Sequence, residues 1–365
     1  MPIRPRLKRC RRRSWGLPAR PFILRKIYFS DRVDPGYNLA VEEYLLGQAA
    51  SEDDILFLWQ NDKTVVIGRN QNPWKECDLD VLEQKGCRLV RRLSGGGAVY
   101  HDLGNLNFTF ISRFHPNCVR DNIEIVINAI RSYGIDAVFS GKNDIQVGAF
   151  KVSGNAYFEQ NNFICHHGTL LLDSDLSQLA TILTASKLKL ESKGINSVKA
   201  RVINLKALNP AITVPGFKQA LVTAFTNRPA ATAEPNHPER SSESVPETIP
   251  ADNESFLTAA DRQAIAKIET KYHSWDWNYG ASPAFNVAIA RRYEWGEVEL
   301  LLVVNDGIID QIAVSTDALD VDLANRIKNG LIATAFDEKQ IFDRIIPAAY
   351  QKCLNKSCSA LSHNG

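Results

Sequence analysis

The sequence predicts an α+β protein with a large N-terminal domain built on mixed sheets and a small C-terminal α+β domain. Three observations support this fold class. Short apolar strands alternate with a few helices through the first half of the 365 residues. Residues 227–254, rich in proline and acidic side chains, then interrupt the hydrophobic pattern. Strands and helices resume afterwards, and a chain of this length can bury one large core and a second, smaller one.

The elements of the large domain follow from hydrophobic periodicity and from the turn residues between the apolar runs. Helical spacing predicts helices at Tyr37–Gln48, Leu79–Gln84 and Ile123–Tyr133. Asn61-Asp62 has the residue types of a hairpin turn, so we expect the strands on either side of it to form a hairpin. The predicted strands, in chain order, are Phe22–Phe29, Ile55–Trp59, Thr64–Ile67, Arg88–Arg92, Asn105–Ile111, Asp144–Val147, Lys151–Tyr157 and Gly168–Leu172.

The second half begins with a stretch that is not expected to fold. Residues 227–254 contain five prolines and six acidic residues but no aromatic residue, so little apolar burial can offset the entropy of ordering them. We expect a disordered insertion there, a basic tail at 1–25, a large domain at 26–278 and a small domain at 279–365. The elements predicted after the insertion are a helix at Thr258–Tyr272, strands at Phe285–Tyr293, Val298–Val304 and Ile308–Val314, and two closing helices.

The charge distribution argues against a nucleic-acid-binding body. The chain has 43 Lys plus Arg, 41 Asp plus Glu and a net charge of +2, but residues 1–25 hold nine of the cations and no acid. The remaining residues include 34 basic and 41 acidic side chains and carry a net charge of −7. Any binding to a polyanion is therefore expected in the tail. The composition of this tail is also compatible with an organelle transit peptide.

Two further protein classes are excluded by composition. No stretch approaches the roughly 18 apolar residues that a membrane helix requires, so we expect a soluble globular protein. The seven cysteines are scattered and include no C-x-x-C pair, which argues against a disulfide framework and a thiolate zinc site. The sequence therefore favours a reducing compartment.

The most informative segment runs from Arg91 to Asn105 and reads RRLSGGGAVYHDLGN. Three successive glycines remove Cβ atoms, so backbone N–H groups can approach an anion closely. The run is neither a P-loop nor a dinucleotide-binding motif, and a Gly-rich turn between strands is commonly only a turn. Because adjacent side chains on a strand point to opposite faces, Arg91 and Arg92 cannot both enter one site, and one of them is expected to be structural.

A second polar cluster begins at Asn143-Asp144 and continues in the next predicted strand. An isolated lysine on a polar strand face is usually only solvated. Here, however, an anion-binding turn, one Arg, Lys151 and a magnesium-binding Asp together are the groups that activation of a carboxylate by a nucleotide requires. The residues expected to share one polar face of that strand are Lys151, Ser153, Asn155 and Tyr157.

The adjacent His166 and His167 should face opposite ways on their strand. One is expected to pack in the core, and the other is available to hydrogen-bond a ligand. Neither belongs to H-E-x-x-H, and no further histidine lies at ligand spacing, so a zinc site is not expected. Nucleophilic hydrolysis is also disfavoured, because neither Ser94 nor Ser153 lies in G-x-S-x-G.

Other runs stand out beside these clusters, and together they resemble the bacterial lipoate-protein ligase A family. The resemblance extends from residue 26 to about residue 330, apart from 227–254, in the family's order and at close to its spacing. The runs that carry it, besides RRLSGGGAVYHDLGN, are NLAVEE (38–43), VIGRNQNPWKEC (66–77), KVSG (151–154), HHGTLLL (166–172), KGINSVKARV (193–202), WDWNYG (275–280) and WG (295–296).

The resemblance implies a large catalytic domain related to biotin and lipoate ligases and a small accessory domain that reorients between half-reactions. The family uses ATP and Mg²⁺ to convert lipoate into lipoyl-AMP. It then transfers the lipoyl group to a lysine of an apo lipoyl domain in 2-oxoacid dehydrogenase E2 subunits or the glycine cleavage H protein. We therefore expect an adenylate-forming ATP-dependent ligase that acts as a monomer in the cytoplasm, or in mitochondria if the tail is a eukaryotic transit peptide.

The resemblance also assigns site residues, with Lys151 as the catalytic residue bridging the lipoate carboxylate and the α-phosphate. It implies that Asp144 binds Mg²⁺ with Asn143 nearby, and that residues 194–202 close over the adenylate. The residues implied for nucleotide binding are Arg92, Gly97, Ala98, Val99, Tyr100 and Lys151. Those implied for lipoate binding are Arg69, Gly96, Gly97, Lys151 and His167.

Four alternatives remain beside this hypothesis. A lipoyltransferase that uses preformed lipoyl-adenylate would share most of these motifs. A cysteine-dependent transferase is disfavoured because no Cys lies between Cys118 and Lys151. A biotin-protein ligase would have a differently arranged Gly/Arg loop. A nucleic-acid-binding role for the Arg-rich tail would be strongly salt-dependent, and the negative charge of the body argues against it as the main function.

Overall fold

The computed structural model describes residues 24–50, 53–140, 143–182, 202–228, 257–279, 287–305 and 307–351. Among these residues, no helix is both long and apolar enough to cross a membrane. The strands are β1 Leu24–Phe29, β2 Asp53–Trp59, β3 Thr64–Ile67, β4 Arg88–Arg91, β5 Val99–His101, β6 Asn105–Arg113, β7 Val138–Ser140, β8 Asp144–Val147, β9 Phe150–Gln160, β10 Phe163–Leu171, β11 Val287–Tyr293, β12 Gly296–Asn305 and β13 Ile308–Thr316. The helices are α1 Pro35–Gln48, α2 Pro73–Glu76, α3 Leu79–Gln84, α4 Cys118–Arg131, α5 Leu176–Ile182, α6 Leu205–Leu208, α7 Val214–Thr226, α8 Ala259–His273, α9 Trp275–Asn278, α10 Leu323–Leu331 and α11 Glu338–Gln340, the last leading into a π-helical turn at Ile341–Ile345.

A seven-stranded sheet forms the centre of the large domain, with the strand order β1-β2-β6-β10-β9-β8-β7. β1 and β2 are parallel, and the other neighbouring strands are antiparallel. Helices cover both faces, because the central strands alternate apolar residues between them. Phe108, Phe110 and Phe225 belong to the core under α4 and α7, and Phe57 and Tyr272 belong to the core under α1 and α8.

The expected hairpin at Asn61-Asp62 is wrong. β2 pairs with β1 and β6 in the large sheet, whereas β3 pairs with β4 and β5 in a second, three-stranded sheet. The buried Asn61 accepts a hydrogen bond from Asn38 and contacts His101, and Lys63 adopts a left-handed φ of 40°. These contacts direct the chain out of the large sheet instead of reversing it.

The small C-terminal domain is a three-stranded antiparallel sheet, β11-β12-β13, covered by α10 and the helical turns that follow it. Val298, Leu300 and Leu302 alternate along β12 and pack with Ile327 and Phe342 in a core of their own. Mixed sheets in the large domain and a separate small domain confirm the predicted α+β fold class.

Several predicted segments lie wholly or partly outside the described residues. Of the basic tail, residues 1–23 lie outside, but Leu24 and Arg25 belong to β1, so the tail boundary at residue 25 is too late. Arg25 donates hydrogen bonds to the carbonyl oxygens of Thr226 and Arg228 at the end of α7. Of the expected insertion only residues 227 and 228 are described, and of the expected closing loop only Val202 is described.

Candidate active site

A cavity of about 500 Å³ opens where the glycine-rich turn, the strands β8–β10 and the small domain meet. The sequence-predicted site residues that line it are Arg92, Gly96, Gly97, Ala98, Val99, Asn143, Asp144, Lys151 and His167. Residues that are far apart in the sequence therefore converge on one cavity. Arg69 and Tyr100, which were predicted with them, do not line it.

The glycine-rich turn is held from within by the Arg92 guanidinium. Arg92 donates to the carbonyl oxygens of Gly95 at 2.6 Å and Gly97 at 2.9 Å, and to Ser94 Oγ at 2.9 Å. Gly96 has a φ of +89°, a conformation that only glycine adopts without strain. Burial lowers the pKa of Arg92 to about 10, which still leaves it a cation at neutral pH. The turn is thus a rigid, positively charged wall of the cavity.

Arg91 points the other way and is structural. Its guanidinium donates to the carbonyl oxygens of Gln71 at 2.7 Å and Asn278 at 2.7 Å, and also to those of Gly68 and Arg69. It thereby joins the chain after β3 to the segment after α8. One of the two arginines is thus structural, as expected from their opposite directions on the strand.

Lys151 lies on a different strand face from the one predicted. The register between β8 and β9 shifts so that Ile145 pairs with Ser153 while Gln146 pairs with Lys151, which leaves Val152 as an extra, bulged residue. The bulge moves Lys151 to the face of Gly154 and into the cavity, whereas Ser153 and Val152 are buried. The expected face is therefore wrong for Lys151, whereas Ser153, Asn155 and Tyr157 share one face, where Asn155 contacts Ser153 and His166 and the Tyr157 ring packs on His166.

The Lys151 ammonium forms an ion pair with Asp144, whose Oδ1 lies 2.7 Å from Nζ. This oxygen has almost no solvent contact and accepts no aligned hydrogen bond. Asn143 and Gln146 line the cavity beside it. Carboxylate and amide oxygens are the ligands that Mg²⁺ prefers, so this group of side chains fits a magnesium ion.

The two histidines divide as expected. His166 lies in the core against Phe108 and Phe110, and burial lowers its pKa to about 3. His167 lines the cavity, and its ring nitrogens contact Ser94 Oγ at 2.6 Å and the Glu42 carboxylate at 2.9 Å.

Glu42 was not among the predicted site residues. Its position on the apolar side of α1, three residues after Leu39 and three before Leu45, was the signal available in the sequence. A carboxylate at such a position must have buried partners.

Arg69 and Tyr100 have other environments. The Arg69 guanidinium lies over the Trp277 ring, 4.2 Å from its centroid. Tyr100 is buried in the core of the second sheet, which raises its pKa to about 12. Neither side chain faces the cavity.

The small domain completes the cavity, a contribution that the sequence analysis missed. Arg292, Trp295, Asp317 and Leu319 line it from that side. The Gly96 N–H donates to the carbonyl oxygen of Ala318 at 2.8 Å, so the two domains meet at the glycine-rich turn itself.

Two family models match the chain. Residues 34–226 match the lipoyl protein ligase A/B catalytic domain. The chain belongs to this family. Residues 282–356 match the bacterial lipoate protein ligase C-terminus, which corresponds to the small domain.

Individual relatives agree with the family assignment. Lipoate-protein ligase A of Psychrobacter cryohalolentis is 38% identical over 316 residues, which cover 87% of this chain and 90% of that protein. LipL1 of P. falciparum, solved in complex with lipoate, matches with a TM-score of 0.72 and 28% identity over 93% of this chain and 98% of that one. A bi-partite lipoate protein ligase of Thermoplasma acidophilum, described with its E2 lipoyl domain, matches with a TM-score of 0.58 and 25% identity over 73% of this chain and 100% of that one. The lipoate-ligase-like fold predicted from the sequence is confirmed.

Proposed function

We propose that this lipoate-protein ligase forms lipoyl-AMP from lipoate and ATP in the cavity around Lys151 and then transfers the lipoyl group to a protein lysine. The observation that carries the proposal is the convergence of a cation, a carboxylate and a glycine-rich turn on one cavity in a member of this family. Each of these groups serves the neutralisation and positioning of phosphate and carboxylate charge.

In the first half-reaction, a lipoate carboxylate oxygen attacks the α-phosphorus of ATP, and the bond to the β-phosphate oxygen breaks to release pyrophosphate. Lys151 would lie between the carboxylate and the α-phosphate and draw the two anions together. The backbone from Gly97 to Val99, held in shape by Arg92, would receive the nucleotide phosphates. A magnesium ion held by Asp144 and Asn143 would supply additional neutralisation of phosphate charge.

In the second half-reaction, the amine of the acceptor lysine attacks the carbonyl carbon of lipoyl-AMP, the bond to the phosphate oxygen breaks, and AMP leaves with the electron pair. Lys151 would stabilise the negative charge that develops on the carbonyl oxygen. The proton lost by the amine passes to solvent or to the leaving phosphate. The mixed anhydride must be kept from water, and Leu319 and Trp295 of the small domain cover the cavity on that side.

Lipoate itself would extend from Lys151 past Gly96, Gly97 and His167, which lie on the wall of the same cavity. The side chains of Arg69 and Tyr100 would contact neither lipoate nor nucleotide, because they face other parts of the domain. They would act on the site only through Trp277 and the second sheet.

The acceptors that we propose are apo lipoyl domains of 2-oxoacid dehydrogenase E2 subunits and of the glycine cleavage H protein. The E2 lipoyl domain described with the Thermoplasma ligase supports this choice. We further propose a monomeric enzyme of the cytoplasm, or of mitochondria in a eukaryote, where the unpaired Cys77, Cys87, Cys118 and Cys165 would stay reduced.

Two coupled measurements test the proposal. Lipoate-dependent ATP–pyrophosphate exchange reports adenylate formation, and the mass of an added apo lipoyl domain reports transfer. A transferase that needs preformed lipoyl-adenylate would show the second activity only when supplied with the adenylate. If free lipoate and ATP support neither exchange nor modification, the proposed ligase activity is wrong.

Lys151→Ala tests the catalytic assignment within the same assays. Loss of the ammonium should lower both half-reactions by on the order of 100-fold, as losses of preorganised charge typically do, while the protein stays folded. Lys151→Arg keeps the charge but replaces a compact ammonium by a planar fork and should not restore full activity. A folded Ala variant with wild-type rates in both assays would remove Lys151 from the mechanism.

A further inference from the structure

Glu42 lies at the centre of a buried chain of hydrogen bonds behind the cavity. Its side chain is almost wholly inaccessible, at 2% exposure. Thr109 donates its hydroxyl to Glu42 Oε2 at 2.6 Å, and the Trp59 indole donates to Thr109 Oγ1 at 3.0 Å. On the other side, His167 Nδ1 lies 2.9 and 3.0 Å from the two carboxylate oxygens of Glu42.

The direction of these hydrogen bonds determines the tautomer of His167. The carboxylate only accepts, so His167 must carry its proton on Nδ1. Ser94 Oγ lies 2.6 Å from His167 Nε2 and accepts from Arg92 Nε at 2.9 Å. Ser94 can therefore donate its hydroxyl proton to His167 Nε2. Glu42 thus accepts hydrogen bonds from Thr109 on one side and from His167 on the other.

Glu42 also supplies negative charge near the buried Arg92. No direct ion pair between the two is needed, because attraction to Glu42 is the largest influence that opposes the lowering of the Arg92 pKa by burial. A buried cation is stable only with such compensation. Removal of the Glu42 charge would leave the guanidinium that holds Gly95 and Gly97 without its main counter-charge.

We infer that Glu42 is a positioning residue for adenylate formation: it holds His167 in the Nδ1–H tautomer and, through Ser94 and Arg92, keeps the Gly95–Gly97 turn in the shape that receives the nucleotide phosphates. This inference rests on the proposed function. Glu42 does not touch the cavity, so its effect on the reaction is indirect.

Glu42→Gln tests the inference because it replaces the carboxylate by an isosteric amide that must also donate. When the amide oxygen takes the place of Oε2 and accepts from Thr109, the NH₂ takes the place of Oε1, 3.0 Å from His167 Nδ1. This contact between two donors is relieved if His167 moves its proton to Nε2 and accepts at Nδ1. We expect long-range ¹H–¹⁵N spectra of the ¹⁵N-histidine-labelled protein to show this change of tautomer. The His167 signals are assigned by their loss in His167→Gln.

The rate of lipoyl-AMP formation is the second readout. It should fall roughly 10- to 100-fold in Glu42→Gln, the effect of losing a hydrogen bond to a charged group. Glu42→Asp keeps the acceptor and should retain the Nδ1–H tautomer and recover part of the rate. The matched control is Glu43→Gln: Glu43 accepts from Tyr272 and Lys271 on the side of α8 and should change neither readout.

The outcomes separate clearly. Glu42→Gln that keeps the Nδ1–H tautomer, or that forms lipoyl-AMP at the wild-type rate, overturns the inference. If Glu42→Gln does not fold, Ser94→Ala takes its place and should lose rate to a similar degree with the tautomer unchanged; a wild-type rate in it overturns the inference. If the wild-type protein itself forms no lipoyl-AMP, the proposed function fails, while the spectra still decide whether Glu42 determines the tautomer.

Discussion

The Lys151 side chain lies directly over Gly154, and the absence of a side chain there is what makes room for it. A Cβ atom on Gly154 would lie 2.9 Å from Lys151 Nζ and 3.1 Å from its Cε. The lysine end can swing away at little cost, so the fold would tolerate the methyl group. The methyl group would, however, displace the Lys151 ammonium from its position in the cavity.

Gly154→Ala should therefore separate activity from stability. We expect the free energy of unfolding to change by less than about 1 kcal/mol, while pyrophosphate exchange falls by on the order of 100-fold, as a displacement of about 1 Å can cause. Urea unfolding and the exchange assay measure the two effects. Gly47→Ala, whose Cβ would meet nothing within 4 Å, is the control. Equal activity in both variants would contradict this account of Lys151.

The Asp144–Lys151 ion pair predicts that binding of Mg²⁺ and binding of lipoate are coupled. Asp144 neutralises the ammonium that the lipoate carboxylate would use, and Mg²⁺ at Asp144 would withdraw that counter-ion. Mg²⁺ with a non-hydrolysable ATP analogue should thus tighten lipoate binding, within the roughly 5- to 150-fold range of typical coupling between sites. Calorimetric titration of lipoate with and without them measures the change. In Asp144→Asn the affinity for lipoate should not change when the metal is added. If the affinity of the wild-type protein does not change either, the proposed coupling is wrong.

Residue types and motifs predicted most of the cavity wall, but not which way each side chain faces. The position of Lys151 depends on the bulge at Val152, which appears only when the pairing of β8 with β9 is known. The hydrogen-bond partners of Glu42 come from β6 and β10, 67 and 125 residues away. Such contacts are set by the tertiary fold, and periodicity within one segment carries no information about them.

At the scale of elements, local patterns predicted several helices and strands but missed one helix and failed at one connection. The predicted bounds of α3 and β8 agree with the structure. α7 was not predicted, although Thr213 accepts a hydrogen bond from the Gly216 N–H and a proline follows in the first turn. The failed hairpin shows the limit: Asn61 has the chemistry of a turn residue, but its buried contacts with two other segments determine the path of the chain.

β5 and β10 each contain a buried histidine that makes stability depend on pH. Burial lowers the pKa of His101 and that of His166 from the ordinary 6.5 to about 3. The unfolded chain therefore binds more protons between pH 6.5 and 3, so this stability is complete above pH 6.5 and is lost as the pH falls. The slope is at most about 1.4 kcal/mol per pH unit for each histidine.

Urea unfolding between pH 7.5 and 5 measures this dependence. The free energy of unfolding should fall below pH 6.5, and His166→Gln should reduce the slope by up to one proton. The window stops at pH 5 so that carboxylates contribute little. A variant with the wild-type slope would show that His166 is not responsible.

For the whole molecule, the glycine-rich turn is also the contact between the two domains. A Cβ atom on Gly95 would lie 2.3 Å from the Ala318 carbonyl oxygen and 2.5 Å from that of Leu319. These are backbone atoms, so the turn and the small domain would have to move apart to relieve the clash. The Thr316 N–H, which donates to the Asn70 carbonyl oxygen at 2.7 Å, belongs to the same contact.

Gly95→Ala should therefore loosen this contact. We expect the amide hydrogens of Gly96 and Thr316 to exchange with solvent at least tenfold faster, because both are protected across the domain boundary. Hydrogen–deuterium exchange with peptide-level mass analysis detects the change, and peptides from β12 serve as the internal control. Unchanged exchange at both amides would mean that the turn accommodates the methyl group without moving the small domain.

The hydrogen bond between Gly96 and Ala318 also affects how the protein melts. It connects two domains that each have a separate core, and separate cores tend to unfold in separate calorimetric transitions. A ligand bound between the domains stabilises both at once, by a free energy that grows with the logarithm of its concentration relative to Kd. Heating the free protein should give a broad or divided heat-capacity peak. With lipoyl-AMP in the cavity, we expect a single, narrower peak at a higher temperature.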